Sequence, residues 1–216
     1  LNNALDIIND NSVGIAGGLY GLPSQPTWVE KLWYQCKESE EGQVSFISAG
    51  SMLMKKQLFK ELNGFNEKLI SGEDYDLCQK VIDAKYKVIR SPKIKTTHMG
   101  NPKTLLESFR KERWYGMGMI ETSSFKKPSK PLILATMFLL NLMAIPLIFL
   151  FSTGLVTYAF LVLILIPILI ALFFTRNIKE KRVIKMIMFI PIATTYLMGR
   201  AISLIDYAAH KVKNNF

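Results

Sequence analysis

The chain has 216 residues, half of them hydrophobic, and a formal net charge of +10. Such a balance raises nucleic acid as a partner, but the basic residues flank apolar runs, which fits anionic lipid and argues against a nucleic-acid patch. Cys36 and Cys78 are isolated and lack metal-binding spacing, so they read as free thiols, Cys78 as a small core residue.

Val13-Gly14-Ile15-Ala16, ending at Gly17-Gly18, predicts a buried strand and a turn. Residues 19–42 read as a loop with a short helix around 28–36. A strand is expected over 44–49, broken by Gly50-Ser51. Residues 56–62 read as a helix stopped by Gly64, and 73–84 as a second helix. Short strands follow at 87–90 and 93–97, around Pro92. A third helix covers 104–120, weakened by Gly116 and Gly118. Alternating strands and helices predict an α/β domain.

The uncharged stretch 131–175 is about twice the ~20 residues that span a bilayer. Ser152-Thr153-Gly154 divides it, so it reads as a transmembrane helical hairpin, 131–151 and 154–174. A soluble domain this small could not cover so much apolar surface. Residues 183–205 form a third candidate span, interrupted by Pro191, Thr194, Thr195 and Arg200. It crosses, or it lies at the interface; crossing is favoured, with Arg200 as an end-of-helix anchor that snorkels. Lys126, Lys127 and Lys130 precede the first span, and Arg176, Lys179, Lys181 and Arg182 follow the second. By the positive-inside rule both flanks, and residues 1–130, face the cytoplasm. No signal peptide is visible and the first residue is Leu1, so the chain reads as a piece whose start lies upstream.

Three groups of residues carry possible chemistry. Glu73, Asp74 and Asp76 sit in a helix first turn, where carboxylates suit the dipole, with Ser71 as the expected N-cap. Asp74 shares a face with Leu77, Cys78 and Val81; Asp76 falls opposite. An acid on the inward side needs a partner or a task. In 104–120, Leu105, Leu106, Phe109, Met117 and Ile120 predict one apolar stripe with Arg113 inside it, flanked by Arg110 and Trp114. Those arginines suit phosphate, because a planar guanidinium makes two parallel hydrogen bonds. They equally suit lipid phosphates, with Trp114 in the headgroup belt. His98 closes a strand-like stretch and as a metal ligand would need carboxylates that are not evident nearby.

In order, Ser48-Ala49-Gly50-Ser51-Met52, Leu62-Asn63-Gly64-Phe65-Asn66-Glu67, Glu73-Asp74-Tyr75-Asp76-Leu77, His98 and Arg110-Lys111-Glu112-Arg113-Trp114 resemble the back half of a membrane-anchored family 2 glycosyltransferase with a GT-A fold. The resemblance covers residues 13–119. Glu73–Leu77 is similar to its "ED-x-DL" motif, and Arg110–Trp114 to its (Q/R)-x-x-R-W motif. It implies an α/β, Rossmann-like fold over 1–101, an interface helix and basic linker over 102–130, and a membrane domain over 131–216.

The resemblance also implies roles. Asp74, with its neighbour Glu73, would supply the general base for inverting transfer. Arg110 and Arg113 would hold the nucleotide diphosphate. Trp114 would stack on the acceptor, Gly50 and Ser51 would line the acceptor side, and His98 would help bind a divalent metal, Mg or Mn. The implied partners are a nucleotide-sugar donor, a glycan or lipid-linked acceptor and the lipid bilayer, in a multi-pass protein of the cell membrane. Lys80, Lys85 and Asn63 depart from the family's usual Arg, Gly and Gly. The metal-binding D-x-D motif has no counterpart here, since Asp6 and Asp10 have the wrong spacing. The expectation is that Leu1 follows that motif in a longer parent and that this stretch alone is inactive. The other class compatible with the residues is a non-catalytic membrane scaffold with a basic interfacial helix.

Overall fold

The computed structural model describes residues 2–35, 41–122, 129–149, 153–178 and 181–214. Cys36, Lys126, Lys127, Ser152 and Lys179, which enter the expectations above, lie outside the described residues. In chain order the elements are α1 (Asn2–Ile8), β1 (Val13–Gly17), β2 (Tyr20–Gly21), α2 (Trp28–Gln35), β3 (Gly42–Gln43), a 3-10 turn (Ala49–Ser51), β4 (Met52–Met54) and α3 (Lys56–Glu61). There follow α4 (Glu73–Asp83), β5 (Lys87–Arg90), β6 (Thr96–Thr97), α5 (Leu105–Thr122), α6 (Lys130–Phe149), α7 (Thr153–Thr175) and α8 (Arg182–Asn214). They form two compact units, residues 1–26 with 37–101, and residues 27–36 with 102–216.

The first unit is α/β. Its main sheet has the order β3-β5-β1-β4, and β2 pairs with β6 in a second, two-stranded sheet. β1 runs parallel to β5 and antiparallel to β4. All five β1 residues are buried, as a central strand covered on both faces requires. Ile15 joins Val44, Ile47, Leu77, Cys78, Val81 and Val88 on one side, and Ala16 joins Ile8 and Val13 in a separate cluster. A Cβ at Gly14 would come within 2.5 Å of Val81 Cγ1, so the glycine lets α4 lie close on the sheet.

The expected face of α4 is the buried one: Leu77, Cys78 and Val81 are fully covered. Its cap is different. The N-cap position is Gly72, at φ +86°, and it makes no side-chain cap hydrogen bond; Ser71 is buried one residue earlier. Asn63 and Lys85 both take left-handed conformations, at φ +59° and +68°.

The strand expected over 44–49 does not form there; a two-residue strand, Gly42–Gln43, precedes it. Beyond Val44, whose N–H still donates to Val88 O at 2.9 Å, side chains replace the ladder. Arg90 Nη2 donates to Phe46 O at 2.7 Å, and the Ala49 N–H donates to Asp74. These partners satisfy a backbone that has turned inward to bury Val44 and Ile47. The strand expected over 93–97 shrinks to β6.

The second unit is helical. Segment α2 belongs to it: Val29 and Leu32 are buried with Ala171, Phe189, Ile192 and Ala193, and the Trp33 ring stacks on Phe189 at 6.0 Å. A capping box starts α2. The Thr27 N–H donates to Glu30 Oε2 at 2.8 Å, and the Glu30 N–H donates back to Thr27 Oγ1 at 3.3 Å.

The expected apolar stripe of α5 is not its buried face. Ser108, Glu112 and Gly116, at successive i,i+4 positions, are buried, while Leu106 is 56 % exposed and Arg113 is exposed. Small residues win because α8 approaches very closely here. A Cβ at Gly116 would lie 2.6 Å from Ser203 Cβ, and one at Gly199 would lie 2.8 Å from Phe109 O.

Two stretches among the described residues are long and apolar enough to cross a membrane, Val156–Thr175 and Arg182–Lys213. Within the described residues of α6 the apolar stretch is Lys130–Pro146. Just 22 % of the most apolar window of Val156–Thr175 is buried, whereas a core helix would be mostly covered. Phe160, Leu161, Ile164, Leu165 and Leu169 all face outward. Such a surface suits a lipid or protein neighbour.

Candidate functional site

Asp74 anchors the site in the α/β unit. It sits in the first turn of α4, half-buried. Its Oδ2 accepts the Ala49 N–H at 3.2 Å and the Ser48 hydroxyl at 3.3 Å; its Oδ1 accepts the Tyr75 N–H at 2.9 Å. Oδ2 therefore carries two donors and Oδ1 one, which leaves Oδ1 the better lone pair for a further proton. Asp76, one position past Tyr75, pairs with Lys80 at 2.8 Å. Lys80 also donates to Gly64 O at 3.2 Å, so that Asp76–Lys80 pair ties the helix to the preceding turn. Glu73 shares the first turn and is half-buried.

Beneath Asp74 lies Cys78, fully buried, with its Sγ 3.5 Å from the Ile47 N–H. Burial pushes the Cys78 thiol up, and the Asp74 carboxylate adds to this against the opposing Ile47 hydrogen bond and Arg90 charge. Cys78 is thus a neutral packing group, as its position in the sequence suggested.

Ser48 connects Asp74 to a residue that sequence reasoning missed. Tyr20 of β2 donates its hydroxyl to Ser48 Oγ at 3.0 Å. The Tyr20 ring lies 4.6 Å from the His98 ring. His98 Nδ1 is 3.1 Å from Asn101 Oδ1, and Asn101 Nδ2 donates to His98 O at 3.0 Å. Asp74, Ser48, Tyr20 and His98 thus form one connected row. Gly50 adjoins it: a Cβ there would fall 2.5 Å from the Tyr20 hydroxyl oxygen. Ser51 does not face the row. It is buried, and its Oγ accepts the Gly18 N–H at 3.0 Å. Nothing in the sequence around Tyr20 signals this role; the β2–β6 pairing brings it to His98.

Residues 39–104 match the family model described as the N-terminal domain of galactosyltransferase. The matched segment contains Ser48, Gly50, Ser51, Glu73, Asp74 and His98. It supports a glycosyltransferase domain without singling out family 2. No curated protein and no solved structure gives a significant match.

Among the described residues no three His, Cys, Asp or Glu side chains gather to hold a metal. His98 faces the Asn101 amide and the Tyr20 phenol ring.

Arg110, Arg113 and Trp114 belong to the helical unit. Arg110 and Trp114 are exposed, and the Trp114 ring lies 5.1 Å from that of Tyr115. Arg113 is engaged by Asp206 of α8: its Nη2 donates to Oδ1 at 2.7 Å and its Nε to Oδ2. Next to it, Arg200 Nε donates to Glu112 Oε2 at 2.8 Å, and both side chains are nearly buried. Arg200 is therefore an internal ion-pair partner, not an anchor at the end of a helix. A guanidinium packed at a helix crossing needs a carboxylate there, and Glu112 supplies it. Nothing in the local sequence of either helix flags these pairings, which join residues far apart in the chain.

Proposed function

We propose that this chain carries the acceptor-and-base part of a membrane-bound glycosyltransferase. It moves a sugar from a nucleotide-sugar donor to a glycan or lipid-linked acceptor, with inversion at the anomeric carbon. Asp74 is the general base. One observation carries the reading: Ser48 and Ala49 hold Asp74 Oδ2 while Oδ1 takes one donor, the Tyr75 N–H, within a segment that matches a glycosyltransferase domain. A carboxylate so oriented can take the acceptor's hydroxyl proton on the remaining lone pair of Oδ1. The acceptor oxygen then bonds to the anomeric carbon as the nucleoside diphosphate leaves. Glu73 stands beside it as a second carboxylate.

Gly50 lies on the acceptor side, and Arg110, Arg113 and Trp114 serve the diphosphate and the acceptor. A divalent cation, expected from the resemblance, needs ligands beyond His98. The outward apolar faces of α7 support a membrane location, multi-pass with the α/β unit in the cytoplasm.

The test is Asp74→Asn in the intact gene product, in membranes, offered a panel of nucleotide sugars. Nucleoside diphosphate release should fall by about 10²- to 10⁴-fold while the protein stays folded. Equal release from mutant and parent would remove Asp74 from the chemistry and favour the scaffold reading.

That second reading has an observation of its own. Glu112 and Arg113, inside the stretch similar to (Q/R)-x-x-R-W, both spend their charge on α8. If the stretch is purely structural, Arg113→Ala leaves nucleoside diphosphate affinity unchanged. Weakened affinity would return Arg113 to the donor.

A further inference from the structure

We propose that Tyr20 is a positioning residue for Asp74, acting through Ser48. The proposal rests on reading Asp74 as the base.

The hydrogen-bond directions are forced. An ionised Asp74 can only accept, so the hydroxyl hydrogen of Ser48 must point at Oδ2. Ser48 Oγ then has lone pairs but no hydrogen left for Tyr20. Tyr20 must donate its own hydrogen, and the 3.0 Å separation allows it. With Tyr20 in place, the Ser48 rotor is locked with its donor on the carboxylate. Without Tyr20, that rotor is free to turn away.

Three features hold the phenol where this requires. The β2–β6 pairing sets the backbone of Tyr20 against Thr96. The His98 ring covers its face at 4.6 Å, and Asn101 holds His98 from the other side. Gly50 supplies the space, since any Cβ there would press on the hydroxyl at 2.5 Å. Gly50 thus makes room for Tyr20, and His98 is its backing.

A locked Ser48 keeps its hydroxyl donor on Oδ2 and so fixes the orientation of the carboxylate, whose Oδ1 holds the single Tyr75 N–H. The other titratable or charged groups around it are Glu73, Tyr75, Asp76 with Lys80, and Cys78 on α4, Arg90 on β5, and His98 behind Tyr20. Removing the Tyr20 or Ser48 hydroxyl removes none of those groups.

The experiment is carboxyl 13C NMR of the full chain, aspartate-labelled, in detergent micelles at one fixed neutral pH. The Asp74 signal is the one lost in Asp74→Asn. Ser48→Ala should displace that signal, because the carboxylate loses a hydroxyl donor. Tyr20→Phe should displace it the same way by a smaller step, and Ser48→Thr should restore the parental position. Gly50→Ala, which crowds the Tyr20 hydroxyl from outside, should act like Tyr20→Phe and covers the case in which that variant does not fold. A signal that moves in Ser48→Ala but not in Tyr20→Phe or Gly50→Ala overturns the role of Tyr20. One that moves in none of them overturns the whole row. The measurement needs no substrate, so its failure is distinct from failure of the base assignment, which appears as undiminished diphosphate release in Asp74→Asn.

Discussion

Arg113 and Asp206, 93 residues apart in sequence, meet as a two-pronged ion pair between α5 and α8. The planar guanidinium presents Nε and Nη2 to both carboxylate oxygens, the geometry that makes such pairs specific. The Arg113 side chain is 48 % exposed, so solvent screens much of the attraction. Arg113→Ala and Asp206→Ala should each lower stability by about 1 kcal/mol or less. The double variant should be no worse than either single one, as chemical denaturation in micelles will show. A fully additive double variant would mean that the two groups act independently.

Glu112 and Arg200 should behave otherwise. Their side chains are 10 % and 15 % exposed, so removing one partner strands a charge at the crossing. Glu112→Ala should cost about 3–5 kcal/mol, and Glu112→Leu combined with Arg200→Met should recover most of it. Thermal unfolding followed by circular dichroism checks this. A single variant within ~0.5 kcal/mol of the parent would show that the pair is hydrated in the native protein.

Gly116 sets the distance between the same helices. In an isolated helix alanine is favoured over glycine by about 1 kcal/mol. Here the added Cβ would meet Ser203 Cβ at 2.6 Å and Oγ at 2.0 Å. Gly116→Ala should therefore destabilise, by roughly 1–3 kcal/mol, with partial rescue by Ser203→Gly. A stabilised Gly116→Ala would show that α5 and α8 can part without penalty.

Cys78 should resist alkylation. Its thiol is buried and held neutral by burial, so little thiolate forms near pH 8. Raising the pH should increase its reactivity only where the fold opens. Iodoacetamide treatment followed by peptide mass spectrometry should find Cys78 modified after denaturation and not before. Rapid native labelling of Cys78 would contradict its packing.

The legible parts of the fold were those governed by short-range pattern. The buried run Val13–Ala16, the apolar face Leu77, Cys78 and Val81, and the left-handed turn at Asn63-Gly64 all follow from period or from local backbone sterics. Thr27-x-x-Glu30 was an available capping-box signal for α2 that the expectations did not use. Residues 44–49 looked like a strand because β-branched and apolar residues cluster there. Their backbone is instead satisfied by Arg90 and Asp74, side chains from other elements. No local pattern reports that exchange.

In the candidate site the same division holds. Motif order singled out Asp74, and its inward face asked for partners. Which partners it has depended on β2 meeting β6, and hence Tyr20 meeting Ser48 and His98. Ser51 looked equivalent to Gly50 in sequence, yet its hydroxyl is bound to Gly18 while Gly50 borders Tyr20.

By itself the sequence determined where the apolar segments lie, which helix carries the acidic turn, and that residues before 102 alternate strand with helix, because hydrophobic periodicity and turn chemistry act over a few residues. Tertiary structure decided that α2 packs with the helical unit, that Ser108, Glu112 and Gly116 rather than the leucines of α5 face α8, and that Arg113 and Arg200 are paired. Those outcomes turn on how closely two backbones approach and on which distant carboxylate offsets a desolvated charge. Both are properties of the packed pair of helices, and neither is written in the pattern of one.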